Sequence, residues 1–378
     1  MPSPHLVRNE ALRALLSPLT NGRISTSIRP TIAALYITRF CNSRCTMCDF
    51  WKNEADPAEL TSEQWGVVFS RLKAFGVDFV GVNASGEMFT RRDVFDILGH
   101  LRALNMNFGV NSNGTLFTPK RAKRLAALRP RAVTIGMDGV GDASYLATRG
   151  LKNGFTKISR HIDNLQREGI ENIGLGTVLM KENVYEWVGL AEYALDKGLS
   201  GVRYTAFHDA YFNPESDPVG SEYRDPDFIS LVEREIGKLI ELKRKTGIVK
   251  NSEAYLRRVT EFYKDQKNYF PVPCLQGSNR IEIDAYGNVT LCSFMTEPLG
   301  NLVKQEMEEI WQSQQHRQAR EDAYNGNCPK CFLSCYGEEN LRLSSQAFLP
   351  TLGNSISRGM RLLGPSFRPS QSVKSENE

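Results

Sequence analysis

Residues 37–51 read ITRFCNSRCTMCDFW, which places Cys41, Cys45 and Cys48 within eight residues. Three thiols this close cannot be a disulfide framework, and three is one fewer than a closed tetrahedral zinc site takes. The chain's eight cysteines fall into two groups: this triplet, then Cys274, Cys292, Cys328, Cys331 and Cys335, with none in residues 49–273. Scattered structural thiols would rarely leave such a gap. The N-terminal stretch has neither a long apolar core nor a small-residue cleavage site, and no apolar run is long enough to cross a bilayer. A cytoplasmic protein without an integral membrane segment is expected, and clustered cysteines there read as metal ligands or catalysts before disulfides. A net charge of +4 over 378 residues gives no electrostatic footprint for a nucleic-acid partner.

Working outward from the triplet, short β-rich runs alternate with helical patterns. Strands are expected at 31–37, 78–83, 107–111, 132–137, 172–179 and 202–206, several of them almost wholly apolar, as strands covered on both faces are. Thr61 with Gln64 forms a capping box, and Asn183 with Glu186 is similar to one. Thr118 before Pro119 marks a helix start, and Gly76, Gly169 and Gly198 stand where helices end in a left-handed residue. Six β-then-α units imply a parallel sheet with its functional face at the C-terminal ends of the strands. Six are too few for an eight-fold barrel, leaving a partial (β/α)6 barrel or an open sheet. The triplet follows the first strand, so it lies over the mouth, as do SGEM (85–88), NSNGT (111–115) and Asp138-Gly139 after the next three strands.

Beyond residue 210 the alternation stops. Helices are expected at 227–245, 252–267 and 309–321, and IEIDAYGNVTLC (281–292) reads as a hairpin turning at Tyr286, Gly287 and Asn288 and delivering Cys292. The expected organisation is a lead-in (1–30), a barrel core (31–210), a helical connection (211–270), a cysteine-organised domain (271–340) and a flexible tail (341–378), in which SISRGMRLLG suggests at most a short basic amphipathic helix. The lead-in looks too short for a separate leader-recognition domain.

A cube of four irons wants four ligands, normally thiolates. Three leave one iron open. The spacing C-x3-C-x2-C after a first strand resembles that of the radical S-adenosylmethionine enzymes, and the resemblance spans about residues 30–340. It implies that Cys41, Cys45 and Cys48 hold a [4Fe-4S] cluster whose open iron binds S-adenosylmethionine. Reductive cleavage would then give a 5′-deoxyadenosyl radical that takes a hydrogen atom from a small-molecule or peptide substrate, with electrons from a flavodoxin- or ferredoxin-type donor. The net reaction is an oxidation, an epimerisation or a peptide modification. Within SGEM, Gly86 and Glu87 match the family's cofactor-binding motif, while Ser85 and Met88 depart from it. Asn111, Asp138 and Arg149 match later motifs and become candidate cofactor contacts, with Gly136 in place of a serine and Met47 in place of an aromatic residue.

The later cysteines are similar to the auxiliary-cluster regions called SPASM or, when shortened, twitch. Five thiols cannot complete two four-ligand clusters, so one auxiliary [4Fe-4S] cluster is expected, on Cys274, Cys292, Cys328 and Cys331. Cys335 is then spare, a swap for Cys328, or a candidate hydrogen donor. The rival reading is a non-catalytic zinc-ribbon protein serving an interaction surface. His208, past the sixth strand, is more readily a structural histidine than a proton donor.

Overall fold

The computed structural model describes residues 12, 27–83, 85–208 and 221–343. Residues 209–220, most of the lead-in and the expected flexible tail beyond residue 343, with its SISRGMRLLG stretch, lie outside them. Six strands run parallel: β1 (Ile32–Tyr36), β2 (Phe79–Asn83), β3 (Asn107–Ser112), β4 (Ala132–Gly136), β5 (Ile173–Leu179) and β6 (Gly201–Ala206). Helices α1 (Ser62–Phe75), α2 (Val94–Ala103), α3 (Pro119–Ala127), α4 (Asp142–Arg149), α5 (Gly154–Arg167) and α6 (Trp187–Asp196) connect them. The strands lie in sequence order from β6 to β1, and the sheet continues past β1 through β7 (Arg280–Ile283), β8 (Asn288–Thr290) and β9 (Gly300–Asn301). β7 pairs parallel to β1, with Ala34 opposite Glu282, so the hairpin region is stitched to the first barrel strand by backbone hydrogen bonds.

The two sheet faces differ in kind. Leu35, Val82, Val110, Ile135, Leu175 and Tyr204 point to the helices and are at most 1% exposed. On the inner face Gly81 lies beside Gly109, and Gly136 beside Gly176. An eight-fold barrel fills its interior with branched side chains. Glycine on these inner walls leaves a hollow instead, and Gly81, Gly136 and Gly176 are only half-buried although they sit mid-sheet. The sheet does not close: β6 and β9 are its edges. Helix α12 (Ser334–Leu343) covers the open side, touching β6 through Ser334 and Thr205 (Oγ to Oγ1, 2.5 Å) and β7 through Tyr336 and Glu282 (2.6 Å).

Local signals explain most boundaries. Thr61 and Gln64 exchange both bonds of the capping box, and Gly76, Gly169 and Gly198 are left-handed, at φ 104°, 81° and 64°. Three expectations need correction. Asn183 and Glu186 do not form a capping box with each other. Both lie inside a 3₁₀ turn, Lys181–Glu186, where Asn183 accepts from Trp187 Nε1 and donates to the Asp138 carbonyl. The span 252–267 is two helices, α8 (Glu253–Arg257) and α9 (Val259–Lys264), parted at Arg258. The span 309–321 is likewise α10 (Met307–Gln312) and α11 (Gln314–Tyr324), because Ser313 turns extended (ψ 149°) and its hydroxyl caps the second helix at His316 N. α7 (Pro226–Thr246) agrees with its expected span within one residue at each end.

Candidate active site

The cysteine loop leaves β1 at its C-terminal end and is tied down by its neighbours. Ile37 N bonds Asn83 O, Thr46 N bonds Thr148 O at 2.9 Å, and the Asn113 amide donates to Asn42 Oδ1 and Ser43 Oγ. Glu87 N donates to Phe40 O at 2.8 Å, the carbonyl just before Cys41. Here Gly86 passes so close that an added Cβ would lie 2.0 Å from Phe40 O and 2.7 Å from Arg39 O. Only glycine permits that approach, which explains why SGEM and the triplet meet.

Glu87 is buried, and burial raises its pKa against hydrogen bonds from Asn113 N, Phe89 N and Ser112 Oγ. Its carboxylate thus binds the loops after β2 and β3 together, a role that its motif position did not reveal. The Asn111 amide donates to Asn83 Oδ1 across the inner face. Asp138, wholly buried, accepts from Val178 N at 2.8 Å and pairs with Arg149, whose Nε and Nη2 each lie 2.7 Å from Oδ2. Burial opposes the Arg149 charge, but Asp138 together with Tyr145 and Cys45 outweighs it and the pKa is raised. The guanidinium lies over Gly136, where an added Cβ would fall 2.8 Å from both terminal nitrogens. The glycine standing in place of a serine makes that room, and Arg149 acts electrostatically on Cys45. Gly86, Glu87, Asp138 and Arg149 therefore gather around the cysteine loop, with Asn111 on the inner wall. Met47 packs into the main core, and Trp51 lies under the Arg44 guanidinium at 5.7 Å, where it flanks the loop.

The triplet fits a cluster of positive irons. Burial pushes the Cys41 thiol up to about 11 and Cys48 to about 12, and Cys45 is raised for the same reason, so these groups stay neutral unless a metal offsets the charge. In the second group, burial raises Cys274 to about 11 and also raises Cys292 and Cys331. Cys274, Cys292, Cys328 and Cys331 line one cavity together with Phe294 and Phe332. Among the described residues no three His, Cys, Asp or Glu side chains are drawn tightly enough around one point to hold a single ion. A four-iron cube spreads its ligands over four separate irons.

Cys335 does not line that cavity, although it packs with Cys331 against the cluster of Cys292, Leu333 and Tyr336. Burial raises it to about 12 against the pull of Arg280. The neighbourhood holds a polar group that the sequence reading missed. Buried Glu282 accepts from Tyr336 Oη at 2.6 Å and Gln276 Nε2 at 3.1 Å, and Ser293 Oγ links Tyr336 and Glu282 to Tyr36 on the inner wall. Its one sequence signal is a glutamate at an inward position of the alternating run IEID. His208 Nε2 meets Lys330 O at 3.3 Å and its ring lies between Phe262 and Phe294, while its buried Nδ1 has no hydrogen-bond partner among the described residues.

Comparison with known proteins agrees with this geometry. Residues 35–194 match the radical SAM superfamily, and residues 274–335 match an iron-sulfur cluster-binding domain, SPASM. The AdoMet-dependent heme synthase of Nitratidesulfovibrio vulgaris is 24% identical over 79% of this chain and 84% of its own length. The sporulation killing factor maturation protein SkfB of Bacillus subtilis is 26% identical over 80% and 70%. Streptococcus suis SuiB bound to S-adenosylmethionine shares the fold, with a TM-score of 0.63 at 13% identity over 80% of this chain and 69% of that one. Native anSMEcpe with bound AdoMet gives 0.60 at 15% over 88% and 98%. No helix of the described residues is long and apolar enough to cross a membrane. The zinc-ribbon reading is not favoured: this chain belongs to the radical SAM superfamily and is an enzyme that uses a [4Fe-4S] cluster with S-adenosylmethionine, with a C-terminal SPASM region for auxiliary iron-sulfur binding.

Proposed function

We propose that the enzyme oxidises a peptide, with Cys41, Cys45 and Cys48 holding the first cluster and Cys274, Cys292, Cys328 and Cys331 a single auxiliary cluster. The observation that carries this is the second cavity: it gathers four of the five later thiols and adjoins the hollow through the Glu282, Tyr336, Ser293 and Tyr36 network. When bound, S-adenosylmethionine supplies the radical that removes a hydrogen atom from the substrate. An auxiliary cluster held by Cys274, Cys292, Cys328 and Cys331 would supply an acceptor for one electron of the substrate's oxidation. Arg149, fixed by Asp138, and the backbone at Gly86 and Glu87 hold the cofactor, with Asn111 on the wall beside it. The relatives and neighbours that favour a peptide are SkfB and SuiB, the latter also bound to its precursor peptide SuiA. A small-molecule substrate is the second reading, favoured by the heme synthase relatives. Reduced thiols suit a cytoplasmic setting with a flavodoxin- or ferredoxin-type donor; all eight cysteines are free. Cys335 is left as packing or as a hydrogen donor.

The test is the Cys274→Ala variant, reconstituted with iron and sulfide and given S-adenosylmethionine and a low-potential reductant. Cofactor cleavage that persists while substrate oxidation is lost supports the acceptor role. Oxidation at the wild-type rate without the auxiliary cluster refutes it.

A further inference from the structure

The inner face of the barrel carries one charge among the described residues of β1–β6. Register defines this face: Tyr36 lies beside Asn83, Asn111 beside Thr134, Gly136 beside Gly176, and Gly176 beside Arg203. Val202, Tyr204 and Ala206, which alternate with Arg203, are fully buried, and Tyr204 Oη reaches back to Trp187 O at the start of α6. Arg203 therefore points into the hollow, where it is exposed. Gly176 lies beside it on β5 and Gly136 beyond that on β4.

The other guanidiniums near the hollow are committed. Arg149 is paired with Asp138, and Arg280 with Glu339 at 3.1 Å. Arg203 has no hydrogen bond or ion pair among the described residues. Glu338 of α12 acts on it only electrostatically, and the Glu338 carboxylate is engaged by Ser252 N at 2.9 Å. A cation in a concave, neutral wall is a recognition element for an anion.

We propose that Arg203 is the substrate-carboxylate subsite of this enzyme. The inference rests on the radical reading above and narrows it to substrates bearing a free carboxylate, whether on a side chain or a chain end. The two other cations over this face are engaged, Arg149 above Gly136 by Asp138 and Lys250, whose stem crosses Gly201, by Gly247 O at 2.9 Å. The one unpaired planar fork suits a singly charged, planar carboxylate, which it can grip bidentately. A phosphate dianion would keep half its charge uncompensated. Arg203 is two strands from Gly136, roughly 10 Å at about 4.8 Å per strand, and Arg149 lies over Gly136. The smooth wall of Gly176 and Gly136 joins the two arginines, so a substrate anchored at Arg203 lies across it toward the cysteine loop.

The test uses phenylglyoxal, which labels free guanidinium groups, on the cluster-loaded full chain, with the labelled arginines read by peptide mass spectrometry. Arg203 is expected to label much faster than Arg149 or Arg280. Butyrate should slow its labelling by about tenfold at about ten times its Kd, as mass action requires, and neutral butyramide should not. Chloride and inorganic phosphate at matched ionic strength should protect little. Equal labelling with butyrate and butyramide overturns the proposal. So does protection by chloride or phosphate as strong as that by butyrate, which would mean screening or a general anion site. Cofactor cleavage, measured separately, reports on the radical reading alone, so the two can fail independently.

Discussion

Arg149 sends both Nε and Nη2 to one oxygen of Asp138, each at 2.7 Å, and its guanidinium spreads over the bare inner face of Gly136. The pair is buried, so its worth lies in mutual neutralisation. Asp138→Asn strands a charge beside the cysteine loop and is expected to cost about 3–5 kcal/mol in chemical denaturation. Adding Arg149→Gln should recover part of that loss. A double variant that is less stable than Asp138→Asn would contradict the pairing account.

Gly86 makes the tightest contact with the cysteine loop. In Gly86→Ala the Cβ would fall 2.0 Å from Phe40 O, and backbone has to move. The expected loss is at least about 1–3 kcal/mol, accompanied by reduced iron uptake at the first site. Thermal melting and iron assay check both; a variant with wild-type iron content and stability would show that the loop is not held there.

The later cysteines divide unequally. Cys328→Ala should lower bound iron from about eight to about four per chain, as the loss of one four-iron cluster requires. Cys335→Ala should keep about eight, because Cys335 does not line the cavity that holds the other four. Iron and sulfide determination after anaerobic reconstitution distinguishes them, and the reverse pattern would exchange the roles of the two thiols.

His316 gives the C-terminal region an acid sensitivity. It is buried in α11 beside Trp311, and Arg320 Nη1 donates to its Nδ1. Burial, with help from Arg320, lowers its pKa from 6.5 to about 3. The unfolded chain therefore takes up a proton below about pH 6.5 that the folded chain refuses. The stability contributed by neutral His316 is present above that pH and is lost as pH falls toward 3, by up to ~1.4 kcal/mol per unit. Unfolding free energies of wild type and His316→Gln between pH 7 and pH 5 should diverge in slope by that amount; parallel curves would refute it.

Much of this was readable in the residues. The six parallel strands fall within a residue or so of their expected bounds, since continuous apolar runs between glycine and capping signals leave few alternatives. The triplet was legible because ligand spacing is a local property. Helix breaks at Arg258 and Ser313 were not: each lies inside a run without glycine or proline, and the break at Ser313 is fixed by where its hydroxyl finds a donor. Motif position identified Glu87 but not its task, because Ser112 and Asn113 come from another strand's end. The Glu282 network and the solitary Arg203 depend on which face of a strand meets the hollow and on what α12 brings across it. That arrangement is tertiary, and a single strand's sequence carries only the alternation.

The most direct measurement is iron, sulfide and 5′-deoxyadenosine per chain for wild type and for the Cys41/Cys45/Cys48→Ala variant, purified and assayed without oxygen. The account predicts about eight irons falling to about four in the variant, with cleavage of S-adenosylmethionine abolished while the auxiliary cluster remains. Undiminished iron or persistent cleavage in the variant would contradict the assignment of the first cluster to these three cysteines.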